Sequence, residues 1–171
     1  MEETTPSVTT RSAGLTYGLY SAGVSIAVFV ILSLLGMNPF GGGYNYIGTV
    51  AAIVLLVLAQ KHFKDNGDGF MTYGQGFGVG FWFGLAGVLV GIGFMYIYIE
   101  FIDHNPMELM LADQLTKMQE QGTPDDAIET AQEWTKKLFW PIALVGGLLG
   151  NMIIAAIVTI FTQKANPEMP A

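Results

Sequence analysis

Two histidines, His62 and His104, are the only imidazoles in the sequence, and no cysteine accompanies them. Without thiols there are no disulfides, thiolate metal sites or cysteine nucleophiles. The hydropathy pattern described below puts the two histidines on opposite sides of a membrane. They cannot then share a metal, and each reads as an interfacial residue. Gly74, Gly76, Gly78 and Gly80 have the look of a nucleotide-binding run. A phosphate cradle needs a strand–turn–helix setting, however, and Phe81 stands where the last glycine of that fingerprint belongs. The stretch Lys64-Asp65-Asn66-Gly67-Asp68-Gly69 invites comparison with a calcium loop. With Gly69 at the sharp turn, Lys64 and Gln75 take the first and last ligand positions, where carboxylates are required. Asn-Gly and Asp-Gly favour a tight turn instead. Neither Gly-x-Ser-x-Gly nor His-Glu-x-x-His occurs. These patterns predict no enzyme, no cofactor and no metal site.

Ionisable groups inside a bilayer mark ion and proton routes, and none falls near the centre of an apolar segment here. Glu100 and Asp103 lie at the outer end of the third such segment and Gln75 at its inner edge. Asn151 is the strong polar residue expected deep in a span, where it hydrogen-bonds across helices or meets a ligand. Glycine supplies the other pattern. Gly76, Gly80, Gly84, Gly87 and Gly91 are spaced four, four, three and four apart, which puts all of them on one helix face. Ala143, Gly146, Gly147 and Gly150 repeat the theme, and Gly14-x-x-x-Gly18 opens it. Small residues let helix backbones approach closely in lipid. The stripe therefore predicts tight packing within one bundle, with a homo-oligomer seam as the alternative.

These residues need elements to carry them, and composition says which. The chain has 171 residues, of which 51% are hydrophobic and 12% charged, with 22 glycines. Soluble domains carry about 25% charge and about 7% glycine. So little charge excludes both a disordered chain and a nucleic-acid binder. A helix crosses the ~30 Å hydrocarbon core in about 20 apolar residues. Four segments qualify, at about 14–36, 44–60, 75–99 and 138–162. The second is short, which local thinning of the bilayer accommodates. The first is too long for a signal-peptide core, has no small-x-small cleavage site after it, and follows Glu2 and Glu3 rather than basic residues. The reading is an all-α polytopic membrane protein of four transmembrane helices, a single membrane domain over 1–171.

Orientation follows from the basic residues. Arg11, Lys61, Lys64 and Lys164 would lie inside, and Lys117, Lys136 and Lys137 outside. Four against three favours cytoplasmic termini. Tyr96, Tyr98 and Trp140 fit an aromatic belt on the outer side, and Tyr17 and Tyr20 one on the inner side. The loop 100–137 holds nine acids and three lysines, a net −6 of the total −7. Inside it, Asn105-Pro106-Met107-Glu108 reads as a helix start with Asn105 as cap. Met107, Met110, Leu111, Leu115 and Met118 form an apolar stripe, and Gly122 stops the helix. Thr123-Pro124-Asp125-Asp126 starts a second helix, whose stripe of Ile128, Ala131, Trp134 and Leu138 runs into the fourth span. The loop is thus expected to be an acidic helical hairpin outside the membrane. Its methionine-rich face is either covered within the protein or adaptable to a partner. Pro141 is expected to kink or reset the helix.

The pattern as a whole resembles an uncharacterised bacterial membrane family, domain of unknown function 4199. The residues that carry the likeness are Tyr17-Gly18-Leu19, the turn Asn66 to Gly69, and Tyr73-Gly74-Gln75-Gly76-Phe77-Gly78-Val79-Gly80. Tyr96-Ile97-Tyr98, Phe101-Ile102-Asp103 and Ile154-Ala155-Ala156-Ile157 complete it. His104 and Asn105 intervene before Pro106, where the family pattern has a proline directly after the aspartate. The resemblance implies a four-span protein of the bacterial inner membrane with a helical insertion before the last span, and it transfers no activity. Two functions fit. One is a non-catalytic assembly or accessory subunit that works through its glycine faces and outer hairpin with a membrane-protein partner or a second copy. The other is a small oligomeric transporter or channel for a small solute or cation. For either, the bilayer itself is the first partner, and the residues to watch are Gly76, Gly80, Gly84, Gly87, Gly91, Gly146, Gly150 and Asn151.

Overall fold

The structure, a computed structural model, describes residues 8–41 and 43–166. It is built from five helices: α1 (Thr10–Leu34), α2 (Tyr44–Asp65), α3 (Tyr73–Phe101), α4 (Asn105–Glu120) and α5 (Asp125–Thr162). Four of them, α1, α2, α3 and α5, are long and apolar enough to cross a membrane. Between 17% and 33% of each apolar window is buried inside the protein, so most of the apolar surface faces outward and requires lipid to cover it. Ile31, Val50, Ile153 and Phe161 are among the large side chains left on that outer surface.

The connections fix which ends lie together. α2 ends and α3 begins at one end of the bundle, beside the C-terminus of α5, where Met71 and Lys164 exchange two backbone hydrogen bonds of 2.9 Å. Arg11, Lys61, Lys64 and Lys164 gather here, and we call it the basic end. The turn 66–72 is tight. Gly69, at φ +81°, donates its amide to the carbonyl of Lys64, and the Asp68 carboxylate accepts from the amide of Phe70 at 3.0 Å. The opposite, acidic end carries the α1–α2 loop, α4 and the first turns of α5.

Glycine governs how closely the spans approach. A Cβ on Gly14 would stand 2.5 Å from the carbonyl oxygen of Val79, and one on Gly18 would strike the backbone of Phe83. α1 therefore lies backbone to backbone on α3. On α3, a Cβ at Gly76 would stand 2.5 Å from the Thr159 methyl, and one at Gly80 would overlap Ala155. That seats α5 as closely on another part of α3. The packed interior falls into two separate clusters. One, at the basic end, gathers Leu56, Ala59, Phe63, Met71, Val79 and Ala155. The other, at the acidic end, is Phe29, Tyr98 and Ile99 with Phe40, Met107 and Trp140 packed around them.

At the acidic end the structure departs from the sequence reading in three places. Asn105 is the first residue of α4 rather than its cap, and its amide donates to the Asp103 carboxylate at 3.0 Å. Asp103 supplies the capping oxygen two residues earlier than expected. The fourth span is not a separate helix beginning at 138: α5 is one 38-residue helix that starts at Asp125 and runs on through Pro141. At ~1.5 Å per residue it is about 57 Å long, well beyond the hydrocarbon thickness. Tyr98 belongs to no belt. It is 9% exposed and packs edge-on against Phe29 at 5.3 Å, whereas Tyr96 is exposed and meets Trp140 at 5.1 Å. Gly122 does end α4, at φ +72°, with the amide of Thr123 donating to the carbonyl of Met118. α4 is tied to its surroundings by Gln114 to the Thr135 hydroxyl at 3.2 Å and by Asn38 to Asp113 at 2.6 Å.

Candidate functional site

Between the two packed clusters lies a cavity of about 350 Å³, walled by all four spans. That is within the ~300–1,000 Å³ range of small-molecule sites. Its floor is where α3 and α5 part. Gly84 and Asn151 face each other there, and the Asn151 amide nitrogen donates to the carbonyl of Gly80 at 2.9 Å. A Cβ on Gly84 would coincide with the Asn151 side chain, so the missing side chain at Gly84 is what lets the amide reach. The Gly80 carbonyl can only accept, which assigns the nitrogen to it. Asn151 Oδ1, which accepts no bond among the described residues, is left to the cavity that Asn151 lines.

Above the floor the wall is apolar, with Val88, Ile92, Met95 and Ile154, broken by the hydroxyls of Ser21, Ser25 and Thr49. Ser21 is 7% exposed and has no hydrogen-bond partner among the described residues. Ser25, which lines the cavity from the same helix, likewise has none among them, whereas six other hydroxyls turn back on their own helices. Ser33, Thr116, Thr130, Thr135, Thr159 and Thr162 each donate to the carbonyl four residues back. Among the described residues, no charged side chain lines the cavity. Thr49 stands exposed at its mouth between α2 and α5. At Gly48 on one side and at Gly146 and Gly150 on the other, nothing lies within 4 Å of where a Cβ would stand. A second hollow of about 450 Å³ shares Ser25, Thr49 and Met95 and leads towards Phe40 in the α1–α2 loop.

The glycine stripe thus divides by task. Gly76, Gly80 and Gly84 meet Thr159, Ala155 and Asn151 on α5, as close packing requires. Gly87 turns towards α1, 3.3 Å from the Gly18 carbonyl at its would-be Cβ, while Gly91 has open space. Gly146 and Gly150 pack against nothing. Five of the seven stripe and fourth-span glycines expected to pack or line a route, Gly84, Gly87, Gly91, Gly146 and Gly150, border the cavity. At three of them, Gly91, Gly146 and Gly150, the missing side chain leaves space rather than contact.

Below the floor the basic end is closed by a polar knot centred on Gln60, which the sequence reading had left at the edge of the second span. Gln60 is fully buried. Its amide nitrogen donates to the Gly76 carbonyl at 3.0 Å and to the Thr159 hydroxyl at 2.8 Å, and its oxygen accepts from Thr162 at 2.5 Å. Lys64 then donates to the Thr162 carbonyl at 2.7 Å, capping the C-terminus of α5 with a cation, where the helix dipole favours one. Gln60 escaped notice because Lys61 follows it and ends the apolar run. Its signal would have been period: Leu56 and Gln60 lie one helical turn apart, and both are fully buried.

The histidines are placed as expected, at opposite ends. His62 lies in the last turn of α2 within 5.6 Å of the Tyr17 ring, and His104 bonds to the Ile99 carbonyl at the end of α3. No group of three metal-binding side chains occurs among the described residues. Comparison with curated proteins and with solved structures finds no match. A family profile does match, over residues 16–163, from the first span to the end of the fourth. The chain belongs to the family described as protein of unknown function, DUF4199.

Proposed function

We propose that the protein is a non-catalytic carrier that takes a small uncharged molecule into the middle of its four-span bundle. The observation that carries this is the cavity between two packed layers, with the Gln60 knot closing one side and the Phe29–Phe40–Tyr98 cluster narrowing the other. A carrier needs a central site that is not open to both sides at once, and this arrangement has that form. The walls lack charge, which favours a neutral solute over a cation. The competing idea of an assembly subunit uses the glycine faces and the outer hairpin with its α4 stripe. Met107 of that stripe packs into the acidic-end cluster, and Gln114 bonds to α5, so part of this face serves the chain itself. The setting we propose is the bacterial inner membrane, with both termini cytoplasmic so that Arg11, Lys61, Lys64 and Lys164 lie inside.

The test is solute-driven swelling of liposomes that contain the purified protein, using glycerol, urea and short alcohols. Wild type should admit at least one of these faster than protein-free liposomes. Gly150→Leu, which puts a side chain into open space at the cavity wall, should abolish the difference without lowering the melting temperature. Equal rates for wild type, variant and empty liposomes would remove the carrier reading.

A further inference from the structure

The polar and apolar parts of the cavity are not mixed at random, and their arrangement specifies a ligand class. Asn151 lies at the floor, and Ser21 lines the same cavity from α1, its Cβ 4.0 Å from the would-be Cβ of Gly87. Both offer unused hydrogen-bonding capacity: the Asn151 oxygen as acceptor, the Ser21 hydroxyl as donor and acceptor. Ser21 is 7% exposed, lines the cavity and makes no side-chain hydrogen bond among the described residues, so its hydroxyl is free to meet a ligand there. Away from the floor the wall becomes Val88, Ile92 and Met95, and the lining reaches exposed Thr49 on α2 and the open positions of Gly146 and Gly150 on α5. A water-soluble polyol would leave its upper hydroxyls against hydrocarbon. A carboxylate or ammonium would enter without any counter-charge.

Resting on the reading of this cavity as a binding site, we propose that it holds an uncharged amphiphile. Its hydroxyl or carbonyl head lies between Ser21 and Asn151, and its short apolar chain runs along Val88, Ile92 and Met95 to the opening between α2 and α5. At ~30 Å³ per non-hydrogen atom, the cavity accommodates roughly a dozen such atoms. A ten-carbon alcohol is of that size. It would enter from the bilayer, into which it partitions, rather than from water.

The test uses the full-length protein in lipid nanodiscs and a ten-carbon alcohol carrying a mid-chain diazirine, with adducts mapped by mass spectrometry. Adducts should concentrate in 87–95 and 146–154, and 1-decanol should compete at concentrations at least tenfold lower than decanoate does. Ser21→Ala, which leaves packing intact, should weaken competition by decanol several-fold and leave competition by decane unchanged. Gly150→Leu should cut cavity adducts at least tenfold while those around Phe161, on the lipid-facing surface, persist. Equal competition by decanol and decanoate would overturn the proposal. So would adducts confined to lipid-facing residues, or competition by glycerol alone, which would make the ligand an aqueous solute. Labelling and swelling fail separately. Specific labelling without flux leaves the site and removes the carrier, whereas glycerol flux without specific labelling leaves the carrier and removes this ligand.

Discussion

Single positions in this bundle divide into those where a missing side chain permits contact and those where it keeps space open. Gly80 and Gly146 look alike in sequence, yet a Cβ at Gly80 would overlap Ala155 while one at Gly146 meets nothing within 4 Å. Gly80→Leu should therefore lose the folded state in mild detergent, and Gly146→Leu should melt within a few degrees of wild type. Comparable melting of the two variants would refute the division. The buried knot makes a second prediction. Gln60→Leu takes the acceptor from the Thr162 hydroxyl and the donor from the Gly76 carbonyl and the Thr159 hydroxyl oxygen, and should lower stability by about 1–2 kcal/mol, measured by thermal melting. The stripe was legible in the sequence because its spacing is helical. Its division was not, because the spacing of Gly76 to Gly91 says which face they share and nothing about where α5 leaves that face.

Among the elements, α1, α2 and α3 were readable from hydropathy to within a few residues, because lipid imposes a length that sequence must match. α5 was harder. The sequence marks a second loop helix whose stripe runs into the fourth span, with Pro141 expected to kink or reset it, but a proline one turn into an apolar segment leaves only the carbonyl four residues earlier without its helical donor, at Lys137, outside the apolar core. The helix continues at little loss. Consequently the water-exposed start and the membrane part of α5 form one rod, and motion of α4 can reach the cavity wall through it. The turn that joins α4 to this rod depends on Gly122 at φ +72°. Gly122→Ala should cost about 1–2 kcal/mol. That loss should appear as faster amide exchange in α4, with α1–α3 unchanged. Uniform exchange across all five helices would show that α4 and the spans unfold as one.

Over the whole molecule, the two ends differ in charge as well as in packing. The basic end is tied by Gln60, Lys64 and the Met71–Lys164 bridge, and the acidic end by aromatic contacts and the loop latch of Asn38 on Asp113. A cysteine-free chain makes the orientation testable. In intact spheroplasts, Thr123→Cys should react with an impermeant thiol reagent and Gly67→Cys only after lysis; the reverse pattern would invert the topology. The four long apolar helices were legible from segment hydropathy. The cavity was not, since it arises from where two pairs of helices part, and no single segment encodes that. The most direct measurement is native mass spectrometry of the protein released gently from its own membrane. A small uncharged adduct of constant mass, present on wild type and missing from Gly150→Leu, is the predicted result; bare protein in both preparations would contradict a ligand-holding bundle.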